Sequence, residues 1–292
     1  MTAETRDSIR TAVITGASAG VGRAAARQLL AMGWRVIGTG RDPARCAEAA
    51  AELASGRFTL LSGDFALLAD VARVAAEIAA LAPRIDVLCN NAGGVQATRR
   101  VSPEGHEATF AANHLAPFLL TRLLLPNLAP GARVIATSSD GHAHSPGIQW
   151  DDPGLAEGWQ SGRAYCQAKL ANVLFTRELA RRYGDAGLVA HALHPGTVAS
   201  NFASHCEPGM KAYMDSIMDR AIAPDEAARA LVRLATDPAV GTINGRYFEG
   251  LDETPPAPAG QDDAAAARLW ALSETLVAPY LQAASATMRN SS

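Results

Sequence analysis

Short apolar runs alternate with longer stretches of helical periodicity along most of this chain. Thr11-Ala-Val-Ile14-Thr15 has the length and composition of a buried strand, and from residue 21 to 32 apolar residues return at helical spacing. The same alternation predicts strands over 34–39, 57–61, 85–89, 133–137 and 188–194. Helices are predicted over 43–53, 67–81, 103–128 and 163–183, then a helix over 226–236, a short strand over 245–249 and a terminal helix over 263–277. Strands separated by helices need crossover connections, and crossovers produce a mostly parallel sheet. The expected fold is therefore α/β: a single-domain, Rossmann-like, doubly wound sheet flanked by helices over residues 1–292, with ligands at the carboxyl ends of the strands. Two segments break the rhythm. Residues 198–223, with Phe202, Met210, Tyr213, Met214, Ile217 and Met218, read as a deformable apolar loop over a substrate, although a core helix has the same pattern. Residues beyond about 282 read as a loose tail, and Pro255-Pro256-Ala-Pro258 as a turn-rich loop.

Composition narrows the function classes. The chain has 292 residues, 48% of them hydrophobic, enough to bury a large core. A net charge of −3 and the lack of a basic block argue against nucleic acid as partner. No apolar run approaches the roughly 20 residues that span a bilayer, and the polar start Met1-Thr-Ala-Glu-Thr-Arg lacks a secretory signal. Cys46, Cys89, Cys166 and Cys206 are scattered without a Cys-x-x-Cys, which fits a reducing cytoplasm. The histidines do not fall at metal-ligand spacing; His106-Glu107 lacks the second histidine of a zinc-protease motif. No metal site is expected.

Two constellations carry chemistry. Between the first strand and first helix stands Gly16-Ala-Ser-Ala-Gly20-Val-Gly22. Gly16 permits a tight turn, Gly20 lets backbone approach a pyrophosphate, and Gly22 allows close helix–strand packing, with the helix amino terminus facing the phosphates. Further on, Tyr165 and Lys169 sit four apart on a predicted helix and so share one face. A neighbouring ammonium favours the phenolate, which would tune Tyr165 as a general acid/base for a carbonyl oxygen. On the long helix Pro117 lacks the N–H that would bond the carbonyl of Asn113, so a kink is expected there, leaving that carbonyl free.

Thr15-Gly16-Ala-Ser-Ala-Gly20-Val-Gly22, Asn90-Asn91-Ala92-Gly93, the serine strand ending Thr137-Ser138-Ser139, Tyr165-Cys-Gln-Ala-Lys169 and Pro195-Gly196-Thr197 occur in this order. Together they resemble the short-chain dehydrogenase/reductase family. Asn113-His-Leu-Ala-Pro-Phe, Leu170-Ala-Asn-Val-Leu-Phe-Thr-Arg-Glu-Leu, Gly245-Arg-Tyr-Phe and Arg268-Leu-Trp resemble its retinol-dehydrogenase-like branch. The resemblance implies a catalytic set of Ser139, Tyr165, Lys169 and Asn113. Ser139 is favoured over Ser138 because it takes the family's serine position before Gly141, although the long stretch before Tyr165, with Trp150 and Trp159, departs from the minimal pattern. The Asn113 carbonyl would hold a relay water.

Cofactor contacts implied by the resemblance are Gly16, Ala19, Gly20, Val21 and Gly22 around the pyrophosphate, with Ser18 in the glycine loop as a further donor to a 2′-phosphate. Asp64 and Phe65 would lie at the adenine, Asn91, Ala92 and Gly93 beside a ribose, and Pro195, Gly196 and Thr197 at the carboxamide, with Tyr165 and Lys169 completing the set. Members preferring NAD place an acid after the second strand; Gly40-Arg41 stands there instead. A guanidinium suits a 2′-phosphate, so NADP (NADPH) is expected, NAD being less likely. The implied activity is hydride transfer between the nicotinamide and a lipophilic ketone, aldehyde or the corresponding alcohol. The alternatives are reduction of an activated carbon–carbon double bond, or a non-catalytic NADP-binding sensor. The partners to consider are that small substrate and a second copy of the chain, in a homo-oligomer, and the expected location is the cytoplasm.

Overall fold

The computed structural model describes residues 9–199 and 206–290, without the side chains of residues 210, 213 and 287–290. An eight-stranded sheet runs in the order β3-β2-β1-β4-β5-β6-β7-β8. Its strands are β1 (Thr11–Ile14), β2 (Arg35–Gly40), β3 (Phe58–Ser62), β4 (Ile85–Asn90), β5 (Leu128–Thr137), β6 (Val189–His194), β7 (Arg246–Glu249) and β8 (Asp252–Glu253). Every pairing is parallel except the terminal β7–β8 pair. The doubly wound, mostly parallel architecture expected from the alternation is present. The expected strands all form, and β8 adds a short antiparallel edge.

Helices cover both faces, which is why β1 is buried at every position and reads as a continuous apolar run. On one face α1 (Gly20–Ala31) and α8 (Pro224–Thr236) pack through Ala24, Ala25, Leu29 and Leu231. The opposite face holds α3 (Leu68–Leu81), α5 (Ala116–Leu124), α6 (Ser161–Tyr183) and α9 (Asp263–Asn290). There Phe118, Phe175 and Trp270 form one aromatic cluster, with Phe118 and Trp270 centroids 4.9 Å apart. After β2, α2 (Pro43–Glu52) begins where the Asp42 side chain accepts the Arg45 N–H at 2.9 Å and Pro43 occupies the first turn.

Three boundaries depart from expectation. The helix expected from residue 103 begins only at α4 (Ala108–Phe110). Residues 102–106 close a turn through Ser102 and Gly105, and Glu107 caps the helix by accepting the Phe110 N–H at 2.8 Å. At its other end Pro126 stops the helix, and β5 starts at Leu128, paired with Ile85, instead of at residue 133. The terminal helix does not stop at 277, and the residues after 282 continue it to Asn290 instead of forming a loose tail. Tyr280 anchors the extension by donating to Glu104 Oε1 at 2.9 Å.

A fourth difference bears on function. Between α4 and α5, residues Ala111–Leu115 wind as a π-helical turn, with the Ala116 N–H reaching the Ala111 carbonyl. The expected irregularity is present, but as an inserted wide turn centred on Asn113, not a simple kink at Pro117. Pro117 offers no N–H to this stretch, and the Asn113 side chain donates to Thr109 O at 2.8 Å. The expected substrate loop contains α7 (Pro208–Ile217). Its base is closed where Thr197 and Ala199 pair with Ile222. Met214, Ile217 and Met218 are half-buried; Phe202 and the side chains of Met210 and Tyr213 lie outside the described residues.

Candidate active site

A cradle forms at the carboxyl ends of β1, β2 and β4. Gly16 and Gly20 adopt φ of +72° and +53°, the left-handed turn that favours glycine. A Cβ on Gly22 would fall 2.3 Å from the Gly16 carbonyl oxygen, so the helix can approach the turn this closely only with glycine there. Thr15 ties the turn to β4: its hydroxyl accepts the N–H groups of Asn91 and Ala92 at 2.9 and 2.8 Å, and its carbonyl accepts Asn91 Nδ2 at 2.9 Å. The Ala17 N–H reaches Thr39 O at 2.8 Å, binding the turn to β2 as well. Gly16, Ala19, Gly20 and Val21 thus form the turn from β1 into the start of α1.

At the end of β2 a side chain is excluded. A Cβ on Gly40 would sit 2.5 Å from Cys46 Sγ and 2.7 Å from Ser18. An acid at this position would not fit, while Arg41 extends outward, 60% exposed, with Nη1 3.9 Å from Asp64 Oδ1. Ser18 is buried and hydrogen-bonded to the Cys46 thiol, which burial pushes above its usual range. Asp64 accepts the Ala66 N–H at 3.0 Å. The Phe65 side chain lies in the core with Leu68 and Val74. Across the cleft Gly196, at φ +96°, packs where a Cβ would meet Ile222 at 3.1 Å.

The four expected catalytic residues converge. Ser138 and Ser139 leave β5 on opposite sides. Ser138 Oγ donates to the Lys169 carbonyl at 2.8 Å and is spent on fixing α6. Ser139 turns toward Tyr165 and hydrogen-bonds its phenol. A Cβ on Gly141 would touch both, at 3.3 Å from Ser139 Oγ and 3.5 Å from the tyrosine ring. Geometry therefore favours Ser139, as the sequence does. Lys169, 3% exposed, donates to Thr137 O at 3.0 Å and lies 5.4 Å from the Tyr165 ring centroid. Asn113 faces the same space: its Oδ1 accepts the Gly94 N–H at 3.0 Å and its Nδ2 donates to Gly94 O at 2.8 Å. A Cβ on Gly93 would meet both Asn113 and Lys169.

Electrostatics correct one expectation. Lys169 was expected to lower the Tyr165 pKa, but burial dominates and pushes the phenol well above its ordinary value, against the hydrogen bond from Ser139. The nearby Asp140 carboxylate pushes it the same way. Burial also lowers Lys169 to about 8. Both groups resist ionisation because the cleft floor is desolvated, so in this state the phenol is a proton donor.

Some supporting residues carried no motif signal. His142, 2% exposed, links two segments far apart in sequence: Nδ1 lies 2.7 Å from Ser139 O, and Nε2 accepts the Ala257 N–H at 3.0 Å. The stretch before α6 is tied down by Gln167, which accepts the Gln149 N–H and donates to Pro153 O, both at 2.9 Å. Trp159 donates to the buried Glu107 at 3.2 Å. Such long-range partners leave no periodicity to read. No helix among the described residues is long and apolar enough to cross a membrane.

A Rossmann-like sheet whose glycine cradle opens beside a Ser–Tyr–Lys cluster defines the class of nucleotide-dependent α/β oxidoreductases. Residues 10–210 match the family described as short chain dehydrogenase. The chain belongs to this family, in its retinol-dehydrogenase-like branch. Human retinol dehydrogenase 14 is 36% identical over 290 residues, covering 92% of this chain and 86% of its own. A Streptomyces protein that bears the name of a daunorubicin ketoreductase is 35% identical, with 92% of each chain covered. Among solved structures, an uncharacterised Mycobacterium paratuberculosis protein superposes with a TM-score of 0.75 at 33% identity, covering 91% of this chain and 92% of its own. Pseudomonas aeruginosa RhlG, solved as an active-site complex with NADP, gives 0.65 at 28% identity over 82% and 94%.

Proposed function

We propose that this protein is an NADP-dependent reductase of lipophilic ketones or aldehydes, able to run in the alcohol-oxidising direction. The observation that carries the reading is Ser139 hydrogen-bonded to the Tyr165 phenol, with Lys169 one turn along α6 and the glycine cradle alongside. The relatives agree in kind, one being named for an alcohol and the other for a ketone. The glycine turn fits a dinucleotide: Gly22 lets the helix close on the Gly16 turn, Gly20 presents no side chain to a pyrophosphate, and Arg41, exposed after Gly40, offers charge for a 2′-phosphate. When bound, the nicotinamide supplies the hydride or accepts it.

The chain's own residues handle the oxygen. Ser139 and Tyr165 hold the carbonyl oxygen, and the Tyr165 phenol, kept protonated by burial, gives its proton as charge develops there. Lys169, as ammonium, stabilises the phenolate left behind. Asn113 holds the Gly94 backbone and so the loop that flanks the substrate, while its carbonyl, which Pro117 cannot bond, would hold a relay water.

Screening NADPH oxidation against ketones, aldehydes and enones tests the reading. Turnover confined to enones would make the chain a double-bond reductase, and inertness with tight NADPH binding would make it a sensor. Arg41→Asp should weaken NADPH by roughly ten- to a hundredfold while changing NADH far less, because a carboxylate then faces the 2′-phosphate. Equal changes in the two dissociation constants would remove Arg41 from phosphate recognition. Pro117→Ala restores an N–H to the π-helical turn. The variant should melt no lower than wild type but turn over several-fold more slowly, with a larger solvent isotope effect. Unchanged turnover beside a regularised helix in a crystal structure would refute the relay.

A further inference from the structure

One active-site charge is left over by this mechanism. Asp140 directly follows Ser139 and opens the short turn Asp140–His144. Its side chain is 58% exposed, while Ser139 beside it is buried. Ser139 Oγ donates to Asp140 Oδ1 at 2.8 Å. Asp140 Oδ2 lies 3.9 Å from His194 Nε2, and burial drives that imidazole toward its neutral form. Among the described residues no lysine or arginine pairs with Asp140. Its charge nonetheless reaches across the site, opposing ionisation of Tyr165, Cys166 and Tyr247, and Glu249 adds the same sign at Tyr247.

Proton counting shows what this carboxylate does to the serine. A carboxylate only accepts, so the single Ser139 proton is committed to Asp140. The serine oxygen accepts from the Gly141 N–H at 3.0 Å, and Asp140 competes with the Tyr165 oxygen for the one serine proton. A carbonyl oxygen held by Ser139 needs that same proton. A neutral ketone must break a charge-assisted bond to obtain it, leaving the exposed Asp140 to water alone. A substrate bearing its own cation would replace the lost donor.

We propose that Asp140 selects carbonyl substrates carrying a protonated amine a few ångströms from the carbonyl, and that pairing with this amine frees the Ser139 hydroxyl for the carbonyl oxygen. The inference rests on the reductase reading and adds its substrate class. Attraction and serine release act together for a cationic substrate. For an anionic one, repulsion adds to the serine's unavailability.

Three ketones of matched shape decide it: a β-dimethylamino ketone, its neutral isopropyl isostere, and the corresponding γ-keto carboxylate. With NADPH and wild-type protein, kcat/KM should favour the amine over the isostere by at least about tenfold, with the carboxylate poorest. Asp140→Ala should bring the amine and isostere to within roughly twofold, partly because the isostere itself gains several-fold once Ser139 is released. Asp140→Asn removes the charge at nearly constant volume and should lose the amine preference too, which guards against a collapsed turn in the alanine variant. A wild type that does not discriminate, or an amine preference that survives both substitutions, overturns the proposal. Calorimetric affinities of the three ketones for the protein with NADP+ separate the two readings. A tenfold amine preference in binding without turnover would overturn the reductase and keep the selection, whereas equal affinities would overturn the selection even in an active enzyme.

Discussion

Tyr165→Phe should lower ketone turnover by roughly 10²- to 10⁴-fold and leave NADPH binding within a few-fold of wild type. The substitution keeps the ring that packs beside Gly141 and Lys169 and removes the phenol that Ser139 holds. The proton then has to come from water or from Ser139, an alcohol and a far weaker acid. Stopped-flow hydride transfer measured beside an NADPH titration separates chemistry from binding. A variant that retains turnover would take the acid role away from Tyr165. A variant that loses both activity and NADPH affinity would instead show that the ring shapes the cofactor cleft.

Lys169→Met should reduce turnover by roughly 10²-fold or more while making the protein more stable at neutral pH. The lysine is buried, and burial lowers it from the ordinary 10.5 to about 8. Its folded value therefore lies below its unfolded value, so the fold carries the full cost of a buried ammonium at pH below about 8. Between about 8 and 10.5 the unfolded chain holds more protons, and stability contributed by this site rises with pH. Methionine removes that cost, an upper bound of roughly 3 kcal/mol. The Thr137 carbonyl that Lys169 would abandon keeps Asn172 Nδ2 at 3.1 Å. Denaturant titrations across this pH range should show the variant's advantage largest at neutral pH and fading toward 10.5. In wild type, turnover should fall as pH rises through about 8, because the neutral amine no longer supports the phenolate. A destabilised Lys169→Met at neutral pH would show that packing and the lysine hydrogen bond outweigh the desolvation of the charge.

The opposed effects on Lys169 illustrate which properties a linear reading reaches. That Tyr165 and Lys169 share a helix face follows from a spacing of four, a local relation. Whether the lysine depresses the phenol's pKa depends on how much water the fold leaves around both groups, and here burial reverses the expected direction. The two serines make the same point. Adjacent residues on an extended strand project to opposite sides, and only the position of α6 decides that Ser138 bonds the Lys169 carbonyl while Ser139 meets Tyr165.

Taken alone, the amino-acid sequence determined the alternation of strand and helix, hence the parallel sheet, and the glycine turn at its first crossover. Each rests on periodicity or on a steric demand confined to a few neighbouring residues. Tertiary structure decided what needs partners distant in the chain. Tyr280 on Glu104 carries α9 past the expected end, and Pro117 and Asn113 together yield a π-helical turn fastened to Gly94. The core packing of the Phe65 side chain and the hydrogen bond of Ser18 to Cys46 likewise depend on where the fold brings their neighbours. His142 joins Ser139 to Ala257 across more than a hundred residues, a contact no local pattern encodes, because a hydrogen bond depends on where the fold brings the backbone and not on spacing along it.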